Sequence, residues 1–344
     1  MPRLKHLLFQ AAAVVIGLVL ALVLVEIALR IARWPGPPLL SGRLETRHHS
    51  PPSRPDFRDR GSPLREEKPA GVFRIVVVGD SFAWGAGVLP QDAYPDRMGD
   101  ELQRRARRAA SSPAFEVVNF SRPGWNTTQE LGALARWFDR LAPDLLVLGY
   151  CLNDAEPHQR RELARLRRDV HPRQPETAVE RVLYARSAVF RLVFHRADNV
   201  RMRRATAAYY HRFYVDGQPT WEATRSALAE MRDLAASRGA PFVLVVFPIF
   251  DSQLDHRYRY HALHETVTAA AAELGIDAVD LLPRYLGIDA RRLALDPFLD
   301  AHPSELAHRI AAMAILEELE QRALLPEGEP SEESGVEGTV QAFE

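Results

Sequence analysis

The residue types needed for acyl transfer occur in short segments that are far apart along the chain. Ser81 lies in IVVVGDSFAWGAG, Gly124 lies in NFSRPGWN, and Asn153 lies in CLNDA. Asp300 and His302 lie together in DPFLDAHPSELAH. A serine becomes a strong nucleophile when a histidine takes its proton, a carboxylate holds that histidine in one tautomer, and amide donors stabilise the oxyanion. The five residues therefore predict nucleophilic chemistry at an acyl group, provided that the fold brings them together.

Five short apolar runs alternate with longer segments of helical periodicity. The runs are continuous rather than alternating, which is typical of strands covered by helices on both faces. This pattern predicts an α/β fold, a three-layer α/β/α sandwich around a doubly wound, mostly parallel, five-stranded sheet. The predicted strands are Arg74–Val78, Glu116–Asn119, Leu145–Leu148, Phe242–Phe247 and Ala278–Leu281, and the predicted helices cover roughly 93–109, 127–141, 222–238, 257–274 and 304–323.

The five candidate residues all follow predicted strands. Ser81 follows the first strand, Gly124 the second and Asn153 the third, while Asp300 and His302 come after the fifth strand and before the last helix. Ligands of open parallel sheets bind at the carboxyl ends of the strands. We therefore expect the five residues to meet at one edge of the sheet.

Each candidate also has a purely structural interpretation. Ser81 is suited to cap the helix that follows it, and Asn153 and Asp154 are suited to an ordinary turn. Gly124 is suited to a turn, and His302 stands at the predicted start of a helix. The occurrence of all the catalytic residue types in order favours the chemical interpretation. Of the neighbouring groups, Asp80 is expected to fix its turn by local hydrogen bonds, His308 to pack, and His256, His261 and His264 to lie on a solvated helix face.

Composition and motifs argue against several other function classes. The formal net charge is -1, so the overall charge gives no indication of a nucleic-acid partner. The glycines near Ser81 lack the spacing and the lysine of a phosphate-binding loop, and no G-x-S-x-G motif surrounds this serine. No group of histidines and carboxylates has the spacing of a metal site. The single cysteine, Cys151, excludes an intrachain disulfide.

The candidate segments resemble, in order, the four blocks of the SGNH or GDSL hydrolases. GDSF at 79–82 resembles the first block, NFSRPG at 119–124 the second, CLND at 151–154 the third and DAHP at 300–303 the last. The resemblance covers roughly residues 73–323. It implies a flavodoxin-like α/β fold and the hydrolysis of carboxylic esters without a metal or an organic cofactor.

The resemblance also implies roles for individual residues. It makes Ser81 the nucleophile and His302 the general base, with an oxyanion hole formed by the backbone amides of Ser81 and Gly124 and by the side chain of Asn153. Two positions depart from the family's pattern. Cys151 stands where the third block usually has glycine, and Leu299 stands where the last block usually has its aspartate. The acid is instead Asp300. Either its carboxylate reaches the imidazole of His302, or Ser81 and His302 act as a dyad in which a backbone carbonyl orients His302.

Composition also divides the chain into segments. The first 34 residues are apolar from Leu7 to Val25 apart from Gln10, which is about the length that crosses a bilayer. The segment 155–220 is too long for a usual connection and predicts a helical insert or cap. The expected organisation is a transmembrane anchor (1–34), a proline-rich tether (35–70), a hydrolase domain (71–325) containing that insert, and an acidic disordered tail (326–344).

The anchor predicts a single-pass membrane protein. Basic residues on the two sides of the span are balanced, and we place the catalytic domain outside the cytoplasm as in a signal anchor. The arginines of the insert could bind an anionic substrate or lipid headgroups, whereas a solvated helix surface is the simpler interpretation. Those considered are Arg160, Arg161, Arg165, Arg167 and Arg168.

The predicted function is a serine esterase that acts on an ester-bearing small molecule, a lipid or an acylated glycan, through a Ser-His-(Asp) acyl-enzyme mechanism. Two alternatives stay open at this point. One is an O-acyltransferase that delivers the acyl group of the same site to an envelope polysaccharide. The other is a non-catalytic scaffold that has the fold without the activity.

Overall fold

The computed structural model describes residues 2–32, 68–108, 114–157, 173–296 and 300–326, together with residues 162, 166 and 170. The chain divides into two compact units. The first consists of Met1–Thr46 and Ala164–Tyr209, and the second contains the rest. The predicted tether, the acidic tail and the five arginines named above lie almost entirely outside the described residues, so what was expected of them stays a prediction.

Five parallel strands form the sheet of the second unit. The chain runs from the first strand to one side of it and then crosses to the other side, which makes the sheet doubly wound. The predicted fold class is thereby confirmed. The strands are β1 (Val72–Gly79), β2 (Ala114–Ser121), β3 (Leu145–Tyr150), β4 (Phe242–Val246) and β5 (Asp277–Asp280), in the spatial order β2-β1-β3-β4-β5.

Helices accompany the strands, and a small antiparallel hairpin of β6 (Ala294–Asp296) and β7 (Asp300–Pro303) precedes the last helix. Short 3-10 turns cover Pro90–Asp92 and Leu152–Ala155. The helices are α1 (Pro2–Ile31), α2 (Ser81–Trp84), α3 (Tyr94–Arg108), α4 (Thr127–Leu141), α5 (Ala178–Arg186), α6 (Ala188–His211), α7 (Pro219–Ala236), α8 (His261–Glu273), α9 (Leu282–Tyr285), α10 (Ala290–Leu293) and α11 (Glu305–Gln321).

The central strands are apolar because both faces of the sheet are covered. The side chains of residues 75–78 in β1 and 145–148 in β3 are fully buried. Arg74 is a charged residue of β1 that is also fully buried, and its guanidinium is paired. Its Nε lies 2.7 Å from Oε2 of Glu116, and its Nη1 donates to the carbonyl O of Leu141 at 2.7 Å. These contacts compensate a charge that would otherwise be costly to bury.

The expectation that His264 lies on a solvated helix face is wrong. His264 is buried with 1% of its surface exposed, and its Nδ1 lies 2.8 Å from Oδ1 of Asp280. The cause is the packing of α8 against β5, which brings Asp280 next to His264. His256 and His261 are exposed as expected, although α8 begins at His261, so that His256 precedes the helix.

In the first unit, α1 carries a long apolar stretch. The 20 residues Ala12–Ile31 have a mean hydropathy of 2.9, and none of this stretch is buried. By length and composition it suffices to cross a membrane, as either an anchor or a signal sequence near the N-terminus.

Candidate active site

Ser81 is the first residue of α2 and directly follows the tight turn at the end of β1, and a glycine makes this turn possible. A Cβ on Gly79 would lie 2.7 Å from the Cβ of Ala83 and 2.9 Å from the carbonyl O of Gly149, so no larger residue fits there without movement. Asp80 then caps α2 by accepting a backbone N–H at 2.8 Å. The capping role considered for Ser81 therefore belongs to Asp80, and the serine hydroxyl is available for another contact.

His302 and Asp300 approach Ser81 from β7. His302 Nε2 lies 2.9 Å from Ser81 Oγ, and His302 Nδ1 lies 2.5 Å from Asp300 Oδ1. The backbone N–H of His302 also donates to Asp300 Oδ1 at 3.1 Å. Because side chains two residues apart on a strand lie on the same face, the spacing from Asp300 to His302 suits a direct contact. A carboxylate therefore orients the imidazole in the structure, while Leu299 lies outside the described residues.

The surroundings of His302 shift its pKa. Burial alone lowers this pKa because it disfavours the charged ring, but the hydrogen bond to Asp300 and the negative charges of Asp300 and Asp80 outweigh that effect. The net pKa of His302 is raised above its ordinary value. The imidazole is thus a stronger base than an ordinary histidine, and the Ser81 hydroxyl lies within hydrogen-bond distance of it.

Asp80 connects the serine turn to the third candidate segment. Its carboxylate is fully buried, and its Oδ2 accepts a hydrogen bond from Asn153 Nδ2 at 2.9 Å and one from Ser81 Oγ at 3.2 Å. Burial raises the pKa of Asp80, although these hydrogen bonds oppose the shift. The sequence predicted only a local role for Asp80, whereas the structure shows that it also holds the side chain of Asn153 next to Ser81.

Cys151 takes the place of a glycine without strain. Its backbone lies at φ -120° and ψ 158°, an extended conformation that any residue adopts. Its N–H donates to Asp154 Oδ2 at 2.8 Å, which fixes the 3-10 turn that carries Asn153. Burial raises the pKa of the Cys151 thiol well above its usual value, so the thiol stays protonated and unreactive.

Gly124 follows β2 at the same edge of the sheet. Gly79 at the end of β1 pairs with Ser121 at the end of β2, and the N–H of Arg122 donates to the carbonyl O of Gly79 at 3.0 Å. Gly124 has a φ of 79°, in the region that favours glycine. A Cβ there would meet no atom within 4 Å, so the backbone conformation rather than space requires glycine.

Two buried carboxyl groups, Glu130 and Asp154, lie near the site, and of these the sequence had indicated only Asp154, as a residue of a turn. Glu130 on α4 is fully buried, and the negative charge of Asp80 adds to burial in raising its pKa well above the usual range. The pKa of Asp154 is raised by burial and by the charge of Glu130. The run TTQELGALARWF places Glu130 on the inner face of α4, which is the only signal for this burial.

Among the described residues, no three His, Cys, Asp or Glu side chains are arranged to hold a metal ion.

The profile of the GDSL-like lipase/acylhydrolase family matches residues 77–310, which is more than half of the sequence. No curated protein matches the chain. Solved structures with similar folds include TesA, with 18% identity, a TM-score of 0.43 and coverage of 73% of this chain and 99% of that one.

Two further crystal structures are similar at the level of the fold. One is the esterase EstA from Pseudoalteromonas sp., with 12% identity, a TM-score of 0.43 and coverage of 73% of this chain and 98% of that one. The other is an acetyl-xylooligosaccharide esterase from Geobacillus, with 17% identity, a TM-score of 0.42 and coverage of 72% and 94% respectively.

Proposed function

We propose that this chain, which belongs to the GDSL-like lipase/acylhydrolase family and is an ester-hydrolysing enzyme, cleaves its substrate through an acyl-enzyme intermediate on Ser81. The observation that carries the mechanism is the continuous contact from Ser81 Oγ to His302 Nε2 at 2.9 Å and from His302 Nδ1 to Asp300 Oδ1 at 2.5 Å. A hydroxyl, an imidazole and a carboxylate in this order are the parts of nucleophilic acyl transfer.

In the first half of the reaction, Ser81 Oγ attacks the ester carbonyl carbon while its proton passes to His302 Nε2. Asp300 stabilises the imidazolium that results. The tetrahedral intermediate collapses when the C–O bond to the alcohol breaks, and His302 donates its proton to the leaving oxygen. In the second half, water gives a proton to His302 Nε2 as its oxygen attacks the acyl carbon. The bond from that carbon to Ser81 Oγ then breaks, and His302 returns the proton to Ser81 Oγ, which releases the carboxylic acid and restores the hydroxyl.

The oxyanion donors in this proposal are the N–H groups of Ser81 and Gly124 and the amide of Asn153. A primary amide carries two N–H donors. Asp80 accepts one from Asn153 Nδ2, which fixes the orientation of the amide and leaves the other N–H to meet the oxyanion. Donors that are oriented in advance stabilise the developing charge without reorganisation during the reaction.

Labelling with a fluorophosphonate probe tests the nucleophile. We expect the wild-type protein to form a covalent adduct located at Ser81 by peptide mass spectrometry, and the Ser81→Ala variant to form none. Ser121→Ala is the matched control, because Ser121 is similarly buried at the end of β2 but bonds to Asn119 rather than to a histidine. Ser121→Ala should label like the wild type, and an adduct that persists in Ser81→Ala would remove Ser81 from the proposed role.

The pH dependence of kcat/KM tests the partnership of His302 and Asp300. Only neutral His302 accepts a proton, so activity rises with pH through the pKa of this residue, and the raised pKa places that rise above the ordinary histidine value of about 6.5. Asp300→Asn removes the charge and weakens the hydrogen bond that raise the pKa, so the midpoint of the rise should move to lower pH. Asp289→Asn removes the same charge at the N-cap of α10, where Asp289 pairs with Arg291, and should leave the midpoint unchanged. An unchanged midpoint in Asp300→Asn would exclude Asp300 as the partner.

We also propose that α1 remains as a single-pass anchor, with the catalytic domain outside the cytoplasm, and that the substrates are acyl esters of lipids or glycans near that membrane. The support is the length and hydropathy of Ala12–Ile31.

Whether the acyl group passes to water or to a sugar hydroxyl is tested by incubating the enzyme with an acyl donor and a glycan. Free carboxylic acid is the expected product, whereas an acyl group found only on the glycan would identify a transferase.

A further inference from the structure

The two insert helices of the first unit carry an exposed apolar face. On α6, Val193, Ala197 and Val200 recur at the spacing i, i+4 and i+7, and 59% of Val193 and 52% of Val200 are exposed. On α5, Val179 and Val182 are 68% and 53% exposed. Residues at these spacings lie on one side of a helix, so the valines form apolar stripes rather than scattered surface residues.

The same helices are strongly basic. Residues 178–209 contain seven arginines but only two acidic residues, Glu180 and Asp198. Exposed Arg196 and Arg204 flank the stripe on α6. Asp198 lies on the opposite, buried face and pairs with Arg201 at 2.8 Å, while Glu180 accepts the backbone N–H of Thr177 at 3.0 Å. An apolar stripe bordered by arginines, with the acids turned away or occupied, suits contact with an anionic lipid surface.

The start of α6 is bonded to the end of the apolar stretch of α1. Glu26 accepts hydrogen bonds from Ser187 Oγ and from the backbone N–H groups of Ala188 and Val189, each at 2.9 Å. The side chain of Arg30 donates to the carbonyl O of Arg186 at 2.5 Å. Glu26 and Arg30 lie in the last turns of the stretch that ends at Ile31, where a spanning helix leaves the hydrocarbon. The α5–α6 junction is therefore held beside the end of this apolar stretch.

We propose that α5 and α6 form a membrane-interface element, with the stripe Val193–Ala197–Val200 among the acyl chains and the arginines on anionic lipid headgroups. The occupant of the apolar face is thus the bilayer that α1 enters. The charge of the helices matches anionic lipid, and the Glu26 contacts join them to the spanning helix. This inference rests on the proposed anchor and is independent of the esterase mechanism.

Site-specific fluorescence in vesicles tests the proposal with the full-length chain. Cys151 is 2% exposed, so a thiol probe reacts with an introduced cysteine and not with the native one. We reconstitute Ala197→Cys, labelled with an environment-sensitive dye, into vesicles of phosphatidylcholine and phosphatidylglycerol. A quencher attached to the lipid acyl chains should quench this dye several-fold more strongly than aqueous iodide does.

Ala269→Cys is the matched control, because Ala269 is an exposed alanine on α8 of the other unit. Its dye should respond to iodide and not to the lipid quencher. Arg196→Glu combined with Arg204→Glu should reduce lipid quenching at position 197 in anionic vesicles, and this loss should be smaller in vesicles of phosphatidylcholine alone. Wild-type protein treated with the same dye checks that the dye does not react at Cys151.

Three outcomes would overturn the proposal. Equal iodide quenching at positions 197 and 269 would place the stripe in water. Protection from both quenchers, with cross-links between two copies at position 197, would show that a second chain covers the stripe. A mature mass lacking α1 would remove Glu26 and refute the anchor as well. None of these measurements uses ester turnover, so a result against the membrane-interface element would leave the proposed Ser81 mechanism unaffected.

Discussion

Replacing His302 by alanine should lower kcat by about 10⁴- to 10⁶-fold with little change in the folded structure. The reason is that His302 Nε2 is the group positioned to take the Ser81 proton, at 2.9 Å, and the serine is a poor nucleophile while it keeps that proton. The side chain is only half-buried, so its removal leaves no large internal cavity. The measurement is turnover of a short-chain chromogenic ester, with thermal unfolding as the check on folding.

His256→Ala is the control for this prediction, because His256 is exposed and lies outside the site. It should retain wild-type activity. The buried histidines His264 and His308 are unsuitable controls, since His264 pairs with Asp280 and His308 Nδ1 accepts the N–H of Tyr94 at 3.3 Å. If folded His302→Ala kept a tenth or more of the wild-type kcat, the general base would have to be another group.

The fold was predictable from the sequence because the strands of a doubly wound sheet are buried on both faces. The run from Ile75 to Val78 has no polar residue, since no side of that strand meets water. The ends of the elements were less predictable. The chain forms the hairpin β6–β7 before α11, and no apolar run marked β7, because its residues 300–302 are only half-buried.

Ser81 and His302 could be predicted as site residues because each follows a predicted strand. The hydrogen bonds among the residues around them could not be predicted. Asp80 and Asn153 are 73 residues apart, and their hydrogen bond depends on the register of β1 beside β3. A local motif contains no information on such a register. The burial of Glu130 was indicated only by its place on the inner face of α4, because a glutamate in the first turn of a helix usually lies at the surface.

The joining of α1 to α6 shows the same limit at a larger separation. Glu26 and Ser187 are 161 residues apart, and each has an ordinary interpretation in its own segment. The sequence predicted an anchor and an insert as separate features. The three hydrogen bonds to one carboxylate in the structure are what connect them.

Replacing Asn153 by alanine should lower kcat by about 10²- to 10³-fold, with a small effect on KM, if its amide meets the oxyanion in the transition state. An oxyanion donor acts on the charge that forms during the reaction, so its loss appears in kcat rather than in substrate binding. The rate is measured under the same conditions as for His302→Ala.

The control is a second asparagine of the same unit whose role is structural. Asn126 caps α4 by accepting the N–H of Gln129 at 3.1 Å, and its Nδ2 donates to the carbonyl O of Glu156 at 2.7 Å. Asn126→Ala should lower the free energy of unfolding by about 1 kcal/mol and leave kcat near the wild-type value. If Asn153→Ala instead lost stability while its kcat fell less than tenfold, Asn153 would serve only to satisfy the buried carboxylate of Asp80. The oxyanion would then have to be stabilised by the two backbone amides alone.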